Sequence, residues 1–174
     1  MQRIEDQSPN RSRMRFWPFG VVALILISLV LFLLANVYLM SRHRRASARM
    51  ATAIYKLSVS RPPELTDAQW AYCIAWTLRL NENYGSYPYV STHDLGRIAE
   101  GLEERIGRGP DLTTIDWVWD QYIEAYPPAS TYERFRPTSP QNRAEFQGGG
   151  NGVYPLSWFR SQYQQTVAQQ KGTR

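Results

Sequence analysis

From Pro18 to Met40 the chain runs for 23 residues without a charged side chain. As a helix, such a stretch reaches about 34 Å, enough to cross a hydrocarbon layer of about 30 Å with some tilt. Pro18 suits the first turn of that helix, where its missing N–H is not needed. Trp17 and Tyr38 stand near the two ends, at positions where amphipathic rings settle among lipid headgroups, and Arg13, Arg15, Arg42, Arg44 and Arg45 flank them. A signal peptide has a shorter apolar region, about 7–15 residues. The only small-residue cleavage pattern nearby, Ala46-Ser47-Ala48, is separated from the run by three arginines. The run therefore predicts an uncleaved single span over 18–40, with the lipid bilayer as its first partner. It carries no small-xxx-small pair, since Leu24 follows Gly20 and Ile27 follows Ala23 at that spacing. Asn36 lies near one end, placed to meet headgroup water or to make one polar contact with a neighbouring helix. No ionisable residue lies at mid-depth, which disfavours an ion or proton path.

The span also explains the net charge. Of the +5 total, residues 1–56 carry +7, from nine Arg/Lys against two acids, and residues 57–174 carry −2. The excess cations thus flank the apolar run, where orientation and anionic lipid account for them. No basic stripe remains downstream for phosphate contacts, so nucleic acid is not an expected partner. Arginines on the two sides of the span are nearly balanced. Long domains translocate largely regardless of charge, which leaves the short Arg-rich tail 1–17 to decide. The expectation is an extracytoplasmic, periplasmic C-terminal domain.

Beyond the span, residues 41–61 read as a basic juxtamembrane stem ending at Pro62-Pro63, which break a continuing helix. A small all-α domain follows over 62–127. Thr66 and Gln69 have capping-box spacing, and nine of eleven positions from Trp70 to Leu80 are apolar. This predicts a buried core helix to about residue 83. Leu95, Ile98, Ala99, Leu102 and Ile106 form one helical stripe over 93–107. Thr113 or Thr114 opens a third helix to about residue 126, with Ile115, Val118, Trp119, Tyr122 and Tyr126 on one side. A last helix is expected over 157–170, fraying into the tail.

Residues 128–156 contain no convincing element. Structureless connections of that length are usually functional or disordered. Their prolines and the run Gly148-Gly149-Gly150-Asn151-Gly152 suggest an extended arm, yet Tyr132, Phe135, Phe146 and Tyr154 are spread along it, more aromatic than a disordered linker. The glycine run lacks the strand before it and the helix after it that a nucleotide cradle needs, and reads as a hinge.

Catalytic constellations are weak. Asp116, Asp120 and Glu124 make a carboxylate row, but opposite the apolar stripe, where a helix meets water. Trp117 lies beside them as a partly exposed anchor. Cys73 is the only cysteine; it excludes an intrachain disulfide and a cysteine-built zinc site. Its sole conceivable partner base, His93, begins another helix, while Cys73 lies in the most apolar one, as an inert small hydrophobe. His43 is expected among the headgroups. Nothing positions any two of Glu82, Glu100 and Glu103 about a cleft.

No catalytic residue, cofactor or metal is expected. The 118 residues from 57 onward hold 17 Phe, Trp and Tyr. A fragment of that size cannot hide them all, and aromatics are favoured at interfaces. The sequence therefore predicts a non-enzymatic accessory or assembly subunit of a membrane complex, with other subunits of that complex as partners. Contact is expected at Trp117, Tyr132, Phe135, Phe146 and Tyr154, with a minor share from Asn36. The rival reading is a tethered enzyme acting on an envelope polymer.

Overall fold

A computed structural model describes residues 17–86, 89–139, 142 and 153–172, with side chains from residue 20 onward. Arg13, Arg15, Phe146 and the Trp17 ring lie outside the described residues. Among the described residues the fold is all-α, without a strand. Five α-helices follow one another: α1 (Trp17–Lys56), α2 (Asp67–Tyr84), α3 (Thr92–Arg108), α4 (Leu112–Ala125) and α5 (Leu156–Gly172). Two 3₁₀ segments, Leu57–Val59 and Pro127–Phe135, join them.

The chain divides into two compact units between Leu39 and Met40. The first holds the apolar part of α1. It is the one stretch, among the described residues, long and apolar enough to cross a membrane, and its side chains from Leu24 to Met40 are exposed. Within it the Asn36 amide donates to the Phe32 carbonyl at 2.8 Å, so one of its donors is satisfied inside its own helix.

The second unit begins at Met40, and here the expected stem is corrected. α1 continues to Lys56, and His43, Met50, Ala53, Ile54 and Leu57 are buried in the domain. Their spacing is a helical stripe; the arginines between them take the wet face. Arg49 reaches Glu103 at 2.8 Å and Glu100 at 3.1 Å on α3.

α2 is the central helix. Thr66 and Gln69 form the full capping box at its start. Trp70, Cys73, Ile74 and Leu80 are fully buried along it. Its buried polar residues serve core aromatics. Thr77 accepts from Trp119 Nε1 at 3.4 Å, and Asn81 Oδ1 accepts from the Tyr122 hydroxyl at 2.6 Å. An unmet polar group at these depths would cost about 1–3 kcal/mol, so the two polar positions belong to the core. α3 buries its predicted stripe, starts at the Ser91 cap and ends at Gly109, whose φ of 101° suits glycine.

α4 starts earlier than its threonines suggest. Asp111 is the N-cap and accepts from the Thr114 N–H at 3.0 Å, while Thr114 Oγ1 accepts from the Asp111 N–H at 3.3 Å. The Thr113 hydroxyl and these backbone donors hold the Asp111 carboxyl below its ordinary range. Asp111→Ala is expected to cost about 1 kcal/mol near neutral pH. Because the folded-state pKa is depressed, Asp111 stabilises fully above the ordinary carboxylate range, and that contribution fades as pH falls through the depressed value. Urea titrations of both proteins should therefore converge in acid; a gap independent of pH would contradict the cap.

Candidate functional site

The expected arm is also corrected. Residues 127–135 are a 3₁₀ helix, and it brings Tyr132 and Phe135 onto α2. Phe135 stacks on Trp76, centroids 5.1 Å apart and planes within 7°. Tyr132 meets Tyr84 edge-on at 5.0 Å. Tyr84 then contacts Tyr126 at 5.7 Å and Tyr89 at 6.3 Å, and Tyr89 and Tyr126 lie 5.3 Å apart. The result is a continuous face of six rings from α2, the loop before α3 and the segment after α4. Five are half-buried, and Tyr89 is 46% exposed. Arg79 lies over Trp76 at 4.9 Å, and Arg134 over Phe135 at 4.6 Å, adding two exposed guanidiniums to its edge.

Tyr132 and Phe135 therefore have intramolecular homes, contrary to the premise that their burial awaits a partner. So has Trp117. Its ring lies against Gly101 on α3, where an added Cβ would stand 2.5 Å from Cη2, and Arg105 covers it at 4.5 Å. Trp117 is half-buried and packs onto the core rather than projecting as an anchor. Tyr154 is 58% exposed and stacks on Trp158 at 4.1 Å. Sequence alone marks Trp76 as part of the core helix, Tyr84 as its stop and Tyr126 as part of the next apolar stripe, and gives none of them, nor Tyr89, a place in a contact face. The signal is present in the i, i+8 spacing of Trp76 and Tyr84 on α2, but Trp76 is lost in the apolar run around it and Tyr84 stands beyond that run, after Asn81, Glu82 and Asn83.

The 3₁₀ segment is fastened by Arg136, whose side chain is only 11% exposed. Its Nη2 donates to Asp120 at 2.7 Å and to Glu133 at 2.9 Å, and its Nη1 lies 3.4 Å from Asp116. Nε lies 2.7 Å from Glu133 Oε1 as a charge contact without hydrogen-bond alignment. Burial opposes the guanidinium charge, yet Asp120 and Glu133 outweigh it and raise the pKa above the usual value. Thr138 donates to Asp116 as well. Two members of the expected solvated row, Asp116 and Asp120, are thus structural partners of the downstream segment. Glu124 accepts from Gln121 at 3.3 Å.

His43 is also corrected: it is 4% exposed, not among headgroups. Nε2 donates to the Gly85 carbonyl at 2.8 Å, and Nδ1 lies 3.2 Å from Thr92 Oγ1. Gly85 itself is required by space, since a Cβ there would overlap Asn81. Cys73 is fully buried, and burial pushes its thiol far up, out of reach of thiolate chemistry. The His93 side chain is 88% exposed beside Asp94, so it does not pair with the buried Cys73. Among the described residues no cluster of His, Cys, Asp or Glu is arranged to hold a metal ion. Tyr38, Arg42, Arg44 and Arg45 are exposed. Comparison of the chain with protein families, curated proteins and solved structures finds no match.

Proposed function

We propose that this chain is a single-span, membrane-anchored, non-enzymatic subunit that docks other proteins of a membrane complex, with its helical domain on the extracytoplasmic side. The observation that carries the reading is the six-ring face: Trp, Tyr and Phe with arginines at the edge are the residues that concentrate binding energy at interfaces. The rings brace one another, so little side-chain freedom is lost when a partner covers them. Groups that a tethered enzyme would need are engaged elsewhere. Both ring nitrogens of His43 have partners within the fold, and Asp116 and Asp120 hold Arg136.

Photo-reactive residues placed at Arg79 and Tyr89 in the full chain, in its native membrane, should give discrete protein adducts, and one at the exposed Glu104 should not. Tyr89→Ser with Arg79→Ser should weaken association with the partner so captured about tenfold or more, as loss of hot-spot contacts does. Equal adducts from all three positions, or migration of the gently solubilised chain as a lone monomer, would overturn the reading.

A further inference from the structure

The chemistry of the six-ring face is uneven, and this constrains what can cover it. Where Phe135 stacks on Trp76, each ring carries a guanidinium, Arg79 over Trp76 and Arg134 over Phe135. Both arginines are exposed, and neither has a carboxylate partner among the described residues. Glu133, the neighbour of Arg134, holds Arg136 instead. Glu82, one turn beyond Arg79, enters no ion pair among the described residues either. The other rings bring hydroxyls. That of Tyr84 pairs with Thr131 at 3.3 Å. Those of Tyr89, Tyr126 and Tyr132 make no hydrogen bond among the described residues. Tyr89 is exposed, and the hydroxyls of Tyr126 and Tyr132 still reach solvent. The face thus offers open donors, two of them cationic, although residues 57–174 as a whole carry a net −2.

We propose that the segment docking here is an extended, proline-bearing stretch of the partner with acidic side chains that meet Arg79 and Arg134. The inference rests on the docking role argued above and adds the chemistry of what docks. Charge sets the acids: two guanidiniums without counter-charges select carboxylates and repel a basic segment. The hydroxyls set the backbone. A polyproline-type stretch makes no internal hydrogen bonds, so its carbonyls are open to the phenols of Tyr89, Tyr126 and Tyr132. A docking helix brings carbonyls already taken by its own N–H groups, and phenols covered by it would be left unmet at a cost. Prolines add apolar rings for the aromatic face, and their fixed φ lowers the entropy lost on docking.

The test titrates the full chain, in lipid nanodiscs, with a capped fluorescent peptide of about nine residues, prolines with a glutamate at each end. Salt is kept at about 50 mM, where exposed charge pairs are weakly screened. Saturable binding is expected, about fivefold tighter than that of the same peptide with glutamines and about tenfold tighter than with lysines. Arg79→Gln with Arg134→Gln, both at exposed positions, should make the three peptides bind alike. Tyr89→Phe keeps the ring and removes only the hydroxyl; it should weaken the glutamate peptide about fivefold. No saturable binding up to about 1 mM would overturn the proposal. So would equal affinity for the three peptides, an unchanged affinity in Tyr89→Phe, or tighter binding by an alanine-rich helical peptide with the same two glutamates. Photo-adducts at Arg79 and Tyr89 separate this inference from the docking role beneath it. Discrete adducts on a helical or basic segment of the partner leave that role standing and sink the proposal; failure to form discrete adducts sinks both.

Discussion

Trp70→Ala is expected to lower the stability of the helical domain by about 4 kcal/mol, the size of a large aromatic-to-alanine change in a core. Trp70 is fully buried, and its Nε1 donates at 2.7 Å to the Leu57 carbonyl, in the 3₁₀ turn that ends α1. Alanine leaves a cavity beneath α2 and takes the shorter of two hydrogen bonds from the Leu57 carbonyl, which keeps only the Ser60 N–H at 3.3 Å. Domains of this size keep about 5–15 kcal/mol in total, so the variant should lie near the edge of folding at body temperature. Trp70→Phe separates the two contributions: it keeps most of the apolar burial and should cost about 1 kcal/mol through the lost hydrogen bond. Urea unfolding of residues 40–174 checks both. A loss below about 1 kcal/mol for alanine would mean that the end of α1 is not held to α2 through this ring.

How much of this arrangement is legible in sequence depends on how local each signal is. The apolar run needs no partner to be read, and Thr66 with Gln69 announces α2 within four residues. The stripe of α3 is equally self-contained. Residues 41–57 mislead for a physical reason. Arg42, Arg44, Arg45 and Arg49 read as a solvated collar, and so they are, on one side of a helix. Between them His43, Met50, Ile54 and Leu57 fall on the other side and go into the core. Composition reports the collar, and only periodicity reports the stripe.

The ring face was hidden more deeply. Tyr132 and Phe135 have the i, i+3 spacing of a 3₁₀ turn, but the two prolines before them read as a break rather than as a start. Proline is compatible with the first positions of such a turn, because the N–H it lacks is not used there. Trp117 reads as exposed because its neighbours are acids, yet its shelter is the missing Cβ of Gly101 on another helix. The row Asp116, Asp120, Glu124 reads as water-facing because its counter-charge, Arg136, is twenty residues from Asp116 along the chain. Pairings of that kind are set by the tertiary fold, and no local rule carries them.

Arg136→Ala should have the second largest effect, and it reaches function. The guanidinium is nearly buried while its carboxylate partners remain 40–62% exposed, so solvent screens their side of the pairs. With that discount, loss of its charged hydrogen bonds costs about 2–3 kcal/mol. The damage is local in form. Without the cation, Asp116, Asp120 and Glu133 repel one another, and the 127–135 segment loses the tie that holds it to α4. Amide exchange should then rise through residues 129–136 while α2 and α3 stay protected, because their contacts do not pass through Arg136. Arg136→Lys is not expected to rescue it, since an ammonium cannot reach three carboxylates with the planar fork that Arg136 uses. Since Tyr132 and Phe135 ride on that segment, the six-ring face should lose one of its walls and, with it, the association measured through Tyr89 and Arg79. If Arg136→Ala loosened the segment yet left that association intact, the partner would rest on Trp76, Tyr84 and Tyr89 alone, and the 3₁₀ helix would be a brace for the fold rather than part of the docking face.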